Sequence, residues 1–392
     1  MKFFHLSDLH IGLRLMNRDM REDHTYILEQ IISRAAEEKP DAVVIAGDIY
    51  DKAVPSAEAV EVFDAFISGL SEAAPDAALM LISGNHDSGP RIICYSRVLA
   101  RKNLFIAGTP PQTEHDHIQK VVLHDAYGPV NFYLLPFVRP SMVRQILQSP
   151  ADSAHEGEQP LSYDAALHGL IGRETIRDDE RNVLVSHQFY LPPGRKAGEV
   201  ERMDSEIRFV GNVDEVRADV LAPFDYAALG HIHKPMKVGS ENYRYCGTPL
   251  ACSVSEAGQE KSLLVVEMAR KGDLSVREIP LIPLRQIRVL QGTPDEILSQ
   301  ACGDYVRVVL TGEAQPGAEE LQSRIRAAFP YLLEILRENE RTADYFAEDA
   351  KRDQAALEPF EVCSTFLRIE NEEERRILRD VLNTVAGEGN RR

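Results

Sequence analysis

The sequence predicts a layered α/β fold whose functional residues lie along the edge where its strands end. Three observations carry that expectation. Apolar runs at residues 2–7, 41–46 and 77–82 read as strands separated by helical segments. Each empties a ligand-type polar group at its carboxyl end, Asp8 and His10 after the first, Gly47-Asp48 after the second and Gly84-Asn85-His86-Asp87 after the third. Two later apolar runs, 183–186 and 226–229, end the same way in His187 and in Gly230-His231-Ile232-His233.

In chain order, strand 2–7 delivers Asp8 and His10, which an extended backbone would point to the same side. Arg14, Arg18 and Arg21 follow in a segment that reads as a solvated loop and helix start, or as a phosphate-contacting patch. Tyr26, Ile27, Ile31, Ile32 and Ala35 recur with helical spacing until Pro40 stops them. After strand 41–46, residues 56–70 form an amphipathic helix with Val60, Phe63, Phe66, Ile67 and Leu70 on one side. Strand 77–82 then leads into the Gly84 stretch, where glycine permits a tight backbone path.

A helix is expected at 91–100, followed by short strands at 104–107, 118–123 and 130–135. Pro136 and Pro140 flank a turn, residues 149–159 read as a polar mobile loop, and a helix is expected near 161–177. His115, His117, His124, His155 and His168 have no strand-end context and read as ordinary surface histidines. His231 and His233, two apart, would share one side of an extended segment and serve one each of two neighbouring ions, with Lys234-Pro235 placing them at a surface edge. Strands at 236–238, 243–246, 262–268 and 274–279 make the second half β-rich.

Past Pro280 and Pro283 the pattern becomes strand 286–290, helix 294–302, strand 305–310, helix 319–329 and strand 331–336, a small separate α/β module. Residues 338–392 are charged and helical. There Asn371 with Glu374 makes a capping box before an apolar stripe of Ile377, Leu378, Val381, Leu382 and Val385. Such a helix packs on its own domain or lies in a partner's groove. The expected domains are 1–280, 281–337 and 338–392.

Composition narrows the setting. A formal net charge of −18 argues against wrapping nucleic acid by bulk electrostatics, although local basic patches survive an acidic average. Five cysteines without a Cys-x-x-Cys pair speak against a disulfide framework or a structural zinc site, and fit a reducing cytoplasm. No charged leader precedes an apolar stretch at the N-terminus, and no apolar run reaches the roughly 18 residues of a membrane span.

The strand-end residues collected are Asp8, His10, Asp48, Asn85, His86, His187, His231 and His233. Carboxylate, imidazole and carboxamide with no thiolate suit Mn, Fe or Zn. So many ligands exceed what one ion takes and suit two ions sharing a bridging carboxylate, a pair that can clamp a phosphoryl oxygen and activate water for in-line attack.

D-x-H, G-D, G-N-H-D, H and G-H-x-H, in that order, resemble the calcineurin-like metallophosphoesterase family. Residues 5–12, 47–51 and 83–88, with the stretch from Gly247-Thr248-Pro249 to Ser255-Glu256-Ala257-Gly258-Gln259-Glu260-Lys261, are similar to the branch formed by nuclease subunits of bacterial SbcCD-type complexes. That resemblance implies a metallophosphoesterase β-sandwich flanked by helices, a small α/β capping module for DNA and a helical C-terminal tail. It implies that Asp8, His10 and His233 hold one ion, that Asn85, His187 and His231 hold a second, and that Asp48 bridges. His86 then stabilises the pentacovalent transition state or protonates the leaving 3′-side oxygen, with Asp87 orienting it. Archaeal and eukaryotic relatives often carry a histidine three residues after the bridging aspartate, where this chain has Asp51, so that histidine's role does not transfer.

The leading expectation is a Mn²⁺-dependent DNA nuclease, a 3′→5′ exonuclease on duplex ends and an endonuclease on single strands or hairpins. By resemblance it works as a homodimer within a heterotetramer with an SbcC-type ATPase, in the cytoplasm at the nucleoid and without a membrane. A metallophosphatase or phosphodiesterase on a small phosphoester is the second reading, counted against by the extra 110 or so residues after residue 280. A non-catalytic DNA-binding scaffold is the third.

Overall fold

The computed structural model describes residues 1–147, 161–195, 214–312 and 318–337. The chain divides into Met1–Leu336 and Arg337–Arg392, and almost all of the second unit lies outside the described residues. The capping box at Asn371, the stripe that follows it, the expected loop at 149–159, and His155 fall there too.

Two six-stranded sheets face each other. The first runs in the order Leu274–Leu281, Lys261–Met268, Lys2–Leu6, Ala42–Ala46, Ala78–Ile82, Leu104–Ala107. The last four of these are parallel, and Lys261–Met268 pairs antiparallel with Lys2–Leu6. The second runs Met236–Lys237, Tyr243–Tyr245, Tyr226–Gly230, Arg181–His187, Gly128–Leu135, Gln119–Asp125, with Tyr226–Gly230, Arg181–His187 and Gly128–Leu135 parallel.

Every residue of Ala42–Ala46 and Ala78–Ile82 is buried, because both faces of these central strands are covered. One face fills the sandwich interior, where Phe3 meets Phe132 and Tyr226 edge-on at 5.3 and 5.7 Å beside Val44, Met80, Val183 and Val266. The other face takes the helices Arg21–Glu38 and Ala57–Ala73. The helix Tyr163–Gly172 covers the outer side of the second sheet through Ala166, Leu167 and Leu170. Parallel neighbours end at the same edge, so the loops after Lys2–Leu6, Ala42–Ala46 and Ala78–Ile82 meet those after Arg181–His187 and Tyr226–Gly230.

Local details depart from expectation for identifiable reasons. Arg14 and Arg18 lie in a short antiparallel hairpin, Arg14–Leu15 against Arg18–Asp19, rather than in an irregular loop. In Ala57–Ala73, capped by the Ser56 hydroxyl accepting from the Ala59 N–H at 3.3 Å, the buried face is Ala59, Phe66 and Leu70, and Val60 points to solvent. The helix expected at 91–100 is broken into Gly89–Ile92 and Ser96–Leu99, because Tyr95 adopts φ 62° between them. Pro140, expected to bound a turn, opens the helix Pro140–Leu147, where its missing N–H costs nothing. The helix expected over 161–177 stops at Gly172.

Residues 287–337 form a three-stranded sheet, Ile287–Gly292, Tyr305–Leu310 and Leu332–Arg337, with helices Pro294–Leu298 and Ala318–Ala328. It has its own core of Leu290, Ile297, Val306, Val308, Ile325 and Phe329. The Arg285 guanidinium donates to Asp23 at 2.8 Å and stacks on the Tyr331 ring at 4.3 Å, and the Tyr305 hydroxyl donates to the same Asp23 oxygen at 2.8 Å. The module is thus pinned to the start of Arg21–Glu38. Among the described residues no helix is long and apolar enough to cross a membrane.

Candidate metal centre

The site is assembled by strand-end loops that hold one another through backbone hydrogen bonds. Asp8 N–H donates to Gly47 O at 2.9 Å, His10 N–H to Asp48 O at 3.0 Å, and His231 N–H to the Asp8 carboxylate at 3.0 Å. Asp8, His10, Asp48 and His231 have φ of 53°, 45°, 50° and 103°, conformations that L-residues rarely adopt. The alternation of an extended strand therefore does not aim Asp8 with His10, or His231 with His233. Left-handed turns locked by neighbouring loops do so, a correction to the expectation drawn from spacing.

The glycines before the ligand-type residues permit contact. A Cβ on Gly84 would stand 2.0 Å from Asp48 Oδ1, and one on Gly47, whose φ is 90°, 2.4 Å from His187 Nδ1. The strand ends touch because no side chain separates them.

All eight strand-end residues converge. The Asn85 carboxamide oxygen lies 3.0 Å from His187 Nε2 and 2.9 Å from His231 Nδ1. His10 and His233 bring their Nε2 atoms to 3.2 Å. Between these groups sits Asp48, with Oδ2 3.2 Å from His187 Nε2 and 3.7 Å from His10 Nε2, and Oδ1 accepting from the His86 N–H at 2.9 Å. Asp8 Oδ1 is 3.9 Å from His187 Nε2. Asp8, His10, Asp48, His187, His231 and His233 are all buried, not at an exposed edge as Lys234-Pro235 suggested. Phe137 walls the site, its ring centroid 6.3 Å from those of both His187 and His231.

The donor chemistry fits cations. His187 Nδ1 lies 2.7 Å from the Ala46 carbonyl, which only accepts, so that nitrogen carries the proton. Its Nε2 then faces the Asn85 and Asp48 oxygens, a contact that needs a proton or a metal ion between acceptors. Without metal the proton fills that role. Burial alone would lower the His187 pKa, but the Asp48 charge and hydrogen bond and the Asp8 charge push it up to about 9. His10 moves the other way, burial holding it well below its ordinary value despite Asp48. Burial raises Asp8 against the opposing pull of His187 and His233, while at Asp48 burial is overcome by the neighbouring imidazoles, which hold the carboxyl low.

A pH dependence follows. A ligating imidazole must be neutral, and His187 without metal stays protonated up to about pH 9. Metal binding near neutrality is therefore expected to expel at least about one proton, with affinity rising roughly tenfold per pH unit and levelling above the His187 pKa. Calorimetric titration with Mn²⁺ in buffers of differing ionisation enthalpy counts that proton, and heats independent of the buffer would contradict it.

His86 and Asp87 behave differently from the rest. His86 Nδ1 donates to the backbone carbonyl of Asp51 at 2.8 Å, leaving Nε2 for the cleft that the ring helps to line. That cleft, about 260 Å³, is also bordered by His10, Asp51, His233, Cys252 and Ser253. Asp87, expected to orient His86, is turned away from it. Its carboxylate accepts from the N–H groups of Gly84, Ile49 and Tyr50 at 2.9, 3.1 and 3.0 Å, tying the Gly84 loop to the Asp48 loop. Asp51 supplies through its backbone the orientation assigned to Asp87.

Several residues assigned no role from sequence stand behind the ligands. Glu256, buried, places Oε1 3.4 Å from His233 Nδ1, while Oε2 accepts from Lys261 Nζ at 2.6 Å and from the Thr248 hydroxyl at 3.0 Å. This carboxylate-backed imidazole is the arrangement that fixes a ligating histidine's tautomer. On the opposite side a carbonyl, Ala46 O, does the same for His187. Cys252 Sγ lies in one cluster with the ring nitrogens of His10 and His233. Two other buried histidines are structural: His5 meets the Tyr226 hydroxyl and Leu229 O, and His24 meets Met20 O and Leu9 O.

A sequence profile for calcineurin-like phosphoesterases matches residues 1–235, more than half the chain. A second, named for SbcD and described as the Type 5 capsule protein repressor C-terminal domain, matches residues 283–371. Among solved structures, the TT1561 protein of Thermus thermophilus overlaps 71% of this chain and 98% of its own at 15% identity and a TM-score of 0.38. A dimetal phosphatase from Danio rerio overlaps 72% and 96% at 13% identity and a TM-score of 0.39.

Proposed function

Because the chain belongs to the calcineurin-like phosphoesterases, metal-dependent enzymes, and carries an SbcD-type C-terminal match, we propose that it is the nuclease subunit of an SbcCD-type complex, cleaving DNA phosphodiesters. The pairing of those two matches in one chain is the observation that carries the reading. A phosphatase for a small ester needs no module of the kind that follows residue 283.

Asp8, His10 and His233 would hold one ion, Asn85, His187 and His231 the second, and Asp48, which faces both sets, would bridge them. The ions, Mn²⁺ by preference, would supply Lewis-acid polarisation of the phosphoryl group and a lowered pKa for the attacking water. The protein's own groups do the rest. With Nδ1 engaged by Asp51 O, His86 presents Nε2 to the cleft, where it can hold a proton against a non-bridging oxygen or pass it to the leaving 3′-side oxygen. The Asp87 clamp keeps the His86 loop fixed on the Asp48 loop, so the proton donor and the bridge move as one unit. The left-handed backbone at four ligand positions is the strain such preorganisation stores.

In this reading the enzyme removes nucleotides 3′→5′ from duplex ends and cuts single strands and hairpins, in DNA repair and recombination at the nucleoid. The module at 281–337 would bear on DNA, and residues 338–392 would bind an SbcC-type ATPase in a heterotetramer built on a homodimer of this chain. A partner that contributes DNA affinity reconciles the net charge of −18 with a nucleic-acid substrate.

The test is substrate choice. With Mn²⁺ the protein is expected to release nucleotides from a linear duplex far faster than it hydrolyses a simple phosphomonoester. Efficient turnover of the monoester with no DNA cleavage would replace this reading by the phosphatase one.

A further inference from the structure

The donor set read from the sequence contains no thiol, but the folded chain brings one to it. Cys252 is buried and lines the same cleft as His10, His86 and His233. Its Sγ and one ring nitrogen each of His10 and His233 all lie within 4.8 Å of one another. Its sulfur donates to Leu250 O at 3.4 Å, the weak kind of hydrogen bond a thiol makes. Its backbone N–H is anchored on Glu256 at 3.2 Å, the carboxylate that also backs His233.

The spacing of the two imidazoles accommodates a small tetrahedral ion. Ligands about 2.0–2.1 Å from zinc stand roughly 3.3 Å apart along a tetrahedral edge, and His10 and His233 hold their Nε2 atoms at 3.2 Å. A thiolate at about 2.3 Å from the same ion falls roughly 3.6 Å from each nitrogen, inside the limit within which Sγ already lies. Hard ions such as Mn²⁺ favour the carboxylates and have little use for sulfur, whereas Zn²⁺ and Cd²⁺ favour thiolate.

We propose that Cys252, with His10 and His233, forms a second, soft coordination set that overlaps the first metal position and captures Zn²⁺ or Cd²⁺ there. On capture the S–H bond breaks, a sulfur–metal bond forms and the proton passes to solvent, with no change of oxidation state. The position would then have two chemically distinct occupancies, one oxygen-rich and one sulfur-ligated. The inference rests on the reading of His10 and His233 as metal ligands.

X-ray absorption on full-length protein loaded with one equivalent of Zn²⁺ tests it. The expected result is one sulfur scatterer at about 2.3 Å with imidazole nitrogens at about 2.0–2.1 Å, the sulfur shell vanishing in Cys252→Ser. A companion titration is expected to show the ultraviolet sulfur-to-cadmium charge-transfer band in wild type and in Cys94→Ser but not in Cys252→Ser, with Cd²⁺ affinity falling at least about 10- to 100-fold and much more than Mn²⁺ affinity. Imidazole and oxygen scatterers without sulfur would overturn the Cys252 proposal alone. A sulfur shell that survives Cys252→Ser would do the same, and absence of imidazole from the zinc shell would overturn the metal-site reading itself.

Discussion

Replacing Asp48 with alanine is expected to lower phosphodiesterase activity by at least on the order of 10³-fold and to strip metal from both sets of ligands. Its carboxylate faces both sets. Oδ2 stands 3.2 Å from His187 and 3.7 Å from His10, one from each proposed set, while Oδ1 receives the His86 N–H. Alanine thus removes the group shared by the sets and frees the backbone of the proposed proton donor. Folding suffers less than activity, because His187 can give up its proton when its anionic partner is gone. Metal analysis beside a duplex-digestion assay checks this, and a variant that keeps both metal and activity contradicts the bridging role of Asp48.

His86→Ala separates chemistry from ligation. The His86 ring is engaged through Nδ1 by Asp51 O and lines the cleft, while the proposed ligand sets are complete without it. The expected result is bound metal close to the wild-type amount, little change in KM, and kcat reduced by about 10²- to 10⁴-fold, the range for a positioned general acid. Because one ring nitrogen of His86 also clusters with donors of His10 and Asp48, the opposite result has a clear meaning. Loss of an ion in this variant would make His86 a ligand, and unchanged kcat would remove it from the reaction.

How far the site could be read from the sequence depended on what kind of contact made it. Strand ends that each expose a ligand-type residue are a local pattern, and since the sheets are largely parallel those ends necessarily share an edge. That is why Asp8, His10, Asp48, Asn85, His86, His187, His231 and His233 were legible. The way the backbone aims them was not. Spacing suggests strand alternation for Asp8 and His10, but their positive φ values exist only because Gly47 O and Asp48 O capture the N–H groups of Asp8 and His10. Adjacency likewise paired Asp87 with His86, whereas three unsatisfied N–H groups from two loops attract the carboxylate more strongly than one imidazole.

Residues placed by long-range packing left the weakest trace. Cys252 and Glu256 come from the loop before Lys261–Met268, the strand that pairs antiparallel with Lys2–Leu6 and so carries its preceding loop beneath the Asp8 turn. Nothing in their local sequence announces that position. The sandwich was legible for the opposite reason, since uniformly apolar runs such as 42–46 and 78–82 must be covered on both faces.

The proposed chemistry depends on the seven proposed ligands holding two ions and not one. The direct measurement is the number of divalent ions bound per chain after Mn²⁺ loading and removal of free metal. Two are expected in the wild-type protein, and a single ion at saturation would contradict the dinuclear site.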